Sequence, residues 1–166
     1  MLTEALFCLA LNAYHEARNQ DIRGMIAVTQ VVMHRVESDL YPNTPCDVIY
    51  QGPTRESWKT RQYADMKEED RIYYPVKHRC QFSWHCDGKS DTPHDNIAWA
   101  EAQLVAGGVL SGKLYNVVGK SLWYHADYVK PDWAESKNKF TQIGDHIFYR
   151  SKDDARYKNV KKYKYE

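Results

Sequence analysis

The 166-residue chain lacks any long hydrophobic run. The longest, Ala5 to Leu11, is seven residues, far short of the ~20 that span a bilayer, which excludes a transmembrane helix. The same run makes a poor secretion signal, because Glu4 precedes it and the first basic residue is Arg18. The expectation is a protein made in the cytoplasm without a leader and acting elsewhere after release. Charge of one sign is scarce too. Lys plus Arg number 23 and Asp plus Glu 22, a net charge of +1, which excludes a bulk nucleic-acid binder. There is no CxxC, no HExxH, no HxH and no GxSxG, so common zinc knuckles, zincin peptidases and serine-hydrolase elbows find no support. Internal repeats and linkers are absent as well. The 43% apolar and 27% charged fractions are those of a globular chain, long enough for one domain with a real core.

What charge there is lies unevenly. Arg150 to Glu166 holds seven Lys or Arg and three Asp or Glu, a local +4 that leaves −3 for the rest. Residues 151–166 therefore read as a basic tail after a 1–150 domain. With Tyr157, Tyr163 and Tyr165, the tail could dock on an anionic envelope surface such as lipopolysaccharide or a wall polymer. The competing reading is a frayed, solvated end. The four cysteines divide by context. Cys8 sits in the apolar run and reads as a buried thiol. Cys46, Cys80 and Cys86 lie in loop-like segments and could form one disulfide, with Cys46 paired to Cys80 or Cys86. A zinc site from Cys80, His85 and Cys86 has no matching spacing.

Periodicity gives the elements. Thr3 caps a helix whose apolar stripe is Leu6, Leu9, Ala10, Ala13 and Ala17, ending near Arg18. Asp21 caps a second, with Ile22, Met25, Ile26, Thr29, Val32, Met33 and Val36 inward and Gly24 permitting close approach of the pair. Asp47 to Gln51 is a single helical turn, and Cys80 to Gly88 a strand or hairpin facing a cleft. Asp95 caps a third helix to about Leu110, with Ile97, Ala98, Ala102, Val105 and Leu110 apolar. Gly144-Asp145 turns a hairpin. Helices dominate, with short strands between and after them, which defines a mainly helical α+β class.

Aromatic residues are abundant: 13 Tyr, 5 Trp and 4 Phe. Several flank polar groups, in Tyr14-His15-Glu16, Gln81-Phe82-Ser83-Trp84 and Trp123-Tyr124-His125, the composition of a sugar-binding groove as well as of a small core. Glu16 is the carboxylate best suited to acid chemistry. A helix C-terminus raises its pKa by less than one unit (~0.3–1 kcal/mol), so burial must supply the rest of the shift a general acid requires. Its alternative is a surface residue paired with Arg18. His15, His125 and His146, with Asp127 or Asp145, form a rival metal triad for an amidase or peptidase.

Five collinear segments, from roughly Leu6 to Arg150, resemble one family: LALNAYHEAR (Leu9–Arg18), PNTPCDVIY (Pro42–Tyr50), CQFSWHCDG (Cys80–Gly88), LWYHADYVKPDW (Leu122–Trp133) and IGDHIFYR (Ile143–Arg150). The chain is similar to the SleB/CwlJ cell-wall hydrolases, the catalytic domains of spore cortex-lytic enzymes that also serve as phage endolysins. The resemblance implies a lysozyme-like, mainly helical fold with a small β-element beside the substrate cleft. It implies cleavage of peptidoglycan glycan strands, by lytic transglycosylation to a 1,6-anhydro sugar in the SleB branch, with no cofactor or metal. It places the catalytic glutamate on Glu16 and the groove lining on Gln81, Phe82, Ser83, Trp84, Tyr124, His125 and Tyr149. Without a leader or wall-binding repeat, the expectation is a monomeric, phage-type endolysin. A hydrolytic muramidase or glucosaminidase, a metal-dependent amidase and a non-catalytic wall-binding module are the competing readings. Asp87 and Asp127 are the candidates for the second carboxylate that ordinary glycoside hydrolysis requires.

Overall fold

The structure, a computed structural model, describes residues 2–152. The basic tail beyond Lys152 lies outside the described residues. Two compact units emerge: one joins the chain up to Ile49 with the chain from Thr92 onward, and the other is Tyr50–Asp91.

The first unit is built on three helices, α1 (Glu4–Ala17), α2 (Ile22–Glu37) and α5 (Asn96–Leu110), with the short α3 (Pro45–Ile49) against α1 and α2. Each long helix starts where its cap is. Thr3 accepts from Leu6 N, Asp21 from Gly24 N, and Asp95 from both Ile97 N and Ala98 N. The core joins Ala13, Tyr14 and Ala17 of α1, Met25, Ala27, Val28 and Val31 of α2, and Ala98, Ala102, Val105 and Val109 of α5. α2 is buried on most of its circumference, so its inward face is wider than the stripe read from the sequence, although Ile22, expected inward, is exposed in its first turn. On α5 the apolar positions expected at both ends, Ile97 and Leu110, are exposed. Ile97 is 75% exposed, because the buried stripe runs through Ala98, about 100° away on the helix. Gly24 serves the α1–α2 connection: a Cβ there would stand 2.8 Å from that of Gln20.

Three antiparallel strands complete this unit, β3 (Trp123–Ala126), β4 (Asn138–Ile143) and β5 (His146–Arg150), in the order β3-β5-β4. The expected hairpin joins β4 to β5, with Gly144 at φ +56. Gln20 locks this turn to the end of α1. Its Nε2 donates to Asp145 Oδ2 (3.1 Å) and its Oε1 accepts from Asp145 N (3.0 Å). Phe148, fully buried, turns one face of the sheet onto the helices.

The second unit holds a two-stranded hairpin, β1 (Thr54–Glu56) with β2 (Tyr73–Pro75), and the four-residue helix α4 (Trp58–Arg61). Arg71 organises it, donating to Glu56 (2.8 Å) and to the Tyr63 and Ala64 carbonyls. Here the structure corrects two expectations. The segment Cys80–Gly88 is not a strand: Ser83–Cys86 is a turn of 3-10 helix inside a Cys80–Cys86 disulfide. Its ends have Cα atoms 6.1 Å apart, whereas six extended residues would span about 20 Å. Cys46 pairs with neither of those cysteines. It is bonded to Cys8, which is no free thiol, because the buried face of α1 that carries Cys8 packs against α3.

Candidate active site

Glu16 lies in the last turn of α1, and its neighbours fix that turn rigidly. Ala13 and Ala17 are fully buried. The Tyr14 hydroxyl gathers three donors, Arg18 Nη1 (2.7 Å) and the backbone N–H groups of His94 and Asp95 (both 3.1 Å), which ties α1 to the start of α5. These bonds to the oxygen, that of Asp95 foremost, lower the Tyr14 pKa. Tyr14 is thus a structural residue, although the sequence places it among groove aromatics.

Tyr124 meets Glu16 from the sheet. In β3 it lies opposite Phe148 of β5 and packs on the rings of Phe148 (5.5 Å) and His146 (5.1 Å). Its hydroxyl donates to Glu16 Oε1 at 2.7 Å. α2 holds the lead into this strand. His34 Nδ1 is 3.1 Å from the Ser121 carbonyl, and Arg35 Nε donates to the Leu122 carbonyl at 2.8 Å. Gln30 adds a donor to Tyr115 O and an acceptor for Val117 N.

The surroundings of Glu16 shift it toward its protonated form. The residue keeps partial access to solvent while its carboxyl is closely surrounded by protein. Burial raises its pKa, against the opposing pull of the Tyr124 hydrogen bond and the Arg35 charge. Burial also pushes the Tyr124 phenol well above its ordinary value, with the Glu16 charge adding to it. His146, beside Tyr124, has its pKa lowered by burial, and its Nδ1 has no hydrogen-bond partner among the described residues. A carboxylic acid hydrogen-bonded to a phenol that itself packs on a half-buried imidazole can donate a proton and take one back.

The other sequence candidates fall into two groups. His125 and Tyr149 lie opposite to Tyr124 on the sheet, because neighbouring strand residues face opposite ways. His125 stacks on Tyr149 (5.2 Å, 25°), with the Trp133 ring plane steeply inclined to both. Asp127 lines a cavity with this pair. Gln81, Phe82, Ser83 and Trp84 belong to the second unit. There Gln81 and Ser83 are exposed, while Phe82 and Trp84 are buried and Trp84 packs on Tyr50 (6.3 Å). The histidine triad does not assemble, since His125 and His146 face opposite sides of the sheet. Among the described residues no group of three His, Cys, Asp or Glu is placed to hold a metal ion.

Sequence reasoning missed Arg35 and His34 as parts of this site and offered His146 only as a metal ligand. Arg35 continues the buried spacing Val28, Val31, Val32 on α2, and a charge at such a position signals a buried partner. His146 alternates with buried Phe148, which places it on the Tyr124 face.

A helical unit with a three-stranded sheet holding one recessed, protonation-prone carboxyl is the arrangement of a lysozyme-like enzyme. The model of the cell wall hydrolase family matches residues 19–149, and the chain belongs to that family. Two solved structures share the fold. The catalytic domain of the germination-specific lytic transglycosylase SleB from Bacillus anthracis aligns with a TM-score of 0.58 at 21% identity, covering 90% of this chain and 97% of that one. The catalytic domain of the Bacillus cereus SleB protein aligns with a TM-score of 0.56 at 22% identity, covering 90% and 93%. No curated protein sequence matches the chain.

Proposed function

We propose that the enzyme cleaves the glycan strands of peptidoglycan by lytic transglycosylation, with Glu16 as the single acid and base. The observation that carries this reading is the burial-raised carboxyl of Glu16 in hydrogen-bond contact with Tyr124. Protonated Glu16 gives its proton to the glycosidic oxygen leaving N-acetylmuramic acid, and positive charge develops at the anomeric carbon. The carboxylate then takes the proton from the sugar's 6-hydroxyl, whose oxygen closes the 1,6-anhydro ring. That nucleophile is part of the substrate and benefits from high effective concentration. Among the described residues the groups acting on Glu16 are Tyr124 and Arg35, and Asp127, a candidate second carboxylate, lines the cavity on the other face of the sheet. This supports a route without the second acid of an ordinary glycosidase.

The test is product analysis on purified sacculi. Wild-type protein should release fragments with anhydro ends, one water lighter than reducing ends. Glu16→Gln should keep its circular dichroism and lose activity by at least about 100-fold. Reducing ends would replace the lytic outcome with hydrolysis, and an active Glu16→Gln would remove Glu16 from the chemistry. The phage-endolysin role belongs to the same proposal and has its own test. Co-expressed with a pore-forming holin, the wild type should lyse its host and Glu16→Gln should not.

A further inference from the structure

The outer face of the three-stranded sheet carries a cavity of about 490 Å³ that does not include Glu16. It lies between β3, β5 and the 3-10 turn Asp132–Ser136, and the mechanism above makes no use of it. Its chemistry is specific. His125 Nδ1 is 2.7 Å from the Ala126 carbonyl, which only accepts, so in the neutral ring Nδ1 carries the proton and Nε2 accepts. The Tyr149 hydroxyl, 2.9 Å away, donates to that nitrogen. Tyr149 is 9% exposed and its proton is committed, so its oxygen faces a ligand as an acceptor. The carboxylates of Asp127, Asp132 and Glu135 add further acceptors against one cation, Lys130.

This set discriminates among ligands. Three carboxylates to one ammonium disfavour an anionic group inside the cavity itself. His125 and Tyr149 each turn one face on the other, so the aromatic surface they offer a sugar is reduced. The carboxylates do not converge as metal ligands would. What remains is a donor-rich organic cation on a flexible stem. We propose that this cavity is a second substrate site, which holds the side-chain ammonium of the diamino acid in a peptidoglycan stem peptide. The inference rests on the peptidoglycan reading for its choice of ligand. It gives the sheet two jobs: Tyr124 on one face serves the glycan, and the acceptor cavity on the other takes a stem peptide.

The experiment is calorimetric titration of the full chain with N-acetyl-L-alanyl-γ-D-glutamyl-L-lysine, with the same peptide bearing diaminopimelate, and with the lysine peptide acetylated on its side-chain amine. At least one amine-bearing peptide should bind, the tighter one identifying the diamino acid. Acetylation should weaken binding at least tenfold. The double variant Asp132→Asn/Glu135→Gln changes two exposed side chains and should keep the wild-type melting temperature while weakening binding at least tenfold. Tyr149→Phe, which keeps the ring, should weaken it at least threefold. Absence of binding, equal binding of the acetylated peptide, or wild-type affinity in the double variant would overturn the proposal. Titration needs no cleavage. A chain that binds the peptide but leaves glycan intact defeats the catalytic reading alone, and one that cuts glycan but ignores the peptide defeats this one alone.

Discussion

At the scale of the residue, Glu16 is poised between burial, which favours its neutral form, and two groups that favour its charge. Removing Tyr124 Oη takes away one of the latter. Tyr124→Phe should therefore raise the Glu16 pKa further and move the alkaline limb of the kcat–pH profile upward, with kcat lowered roughly tenfold by the lost hydrogen bond. A profile unmoved by the substitution would mean that the phenol does not govern the acid. Stability gives the converse sign. A carboxyl with a folded pKa above its unfolded value binds more protons when folded, so stability falls as pH rises between the two. Glu16→Gln carries no such charge and keeps an acceptor for Tyr124. Its melting temperature should exceed that of the wild type at pH 8, and the difference should vanish at pH 4. Thermal scans at the two pH values check both halves.

At the scale of the element, α2 acts as a clamp on the chain leading into β3, through Gln30, His34 and Arg35. His34 is 2% exposed, and burial lowers its pKa to about 4 from 6.5. The unfolded chain takes up that proton first, so this contribution to stability is complete above pH 6.5 and lost as pH falls toward 4. Its size is on the order of 3 kcal/mol. Urea unfolding at pH 7, 5.5 and 4 should show that decline in the wild type and a flatter one in His34→Gln, which begins less stable. The helices themselves were legible in the sequence because their signals are local. Thr3, Asp21 and Asp95 cap where their side chains suggest, and Gly144-Asp145 turns the hairpin. Glu16 was legible as an acid candidate, but its partner was not. The Glu16–Tyr124 bond spans 108 positions, and no periodicity encodes a contact between a helix end and a strand so far along the chain. The clamp from α2 to residues 121 and 122 is hidden for the same reason.

At the scale of the whole molecule, the Cys8–Cys46 bond ties the helix that carries Glu16 to α3 across a separation of 38 residues. Closing a loop of that length in the unfolded chain corresponds to about 4 kcal/mol in the chain-entropy model. Cys8→Ala/Cys46→Ala should lower the unfolding free energy by about 2–4 kcal/mol in urea titrations. Cys80→Ala/Cys86→Ala closes a much smaller loop and should cost less. Equal losses would point to packing at each pair rather than to chain closure. The pairing was opaque in the sequence because Cys8 looks like one more apolar residue of a buried helix, and only the packing of α3 brings Cys46 to it.

β3 is four residues long, and alternate side chains serve two different surfaces: Tyr124 meets the acid, and His125 lines the cavity behind. Such a strand has no tolerance for slippage. Deleting one residue between Leu122 and Tyr124 would exchange the two sides, presenting an imidazole to Glu16 and a phenol to the outer pocket, so that both surfaces would fail together.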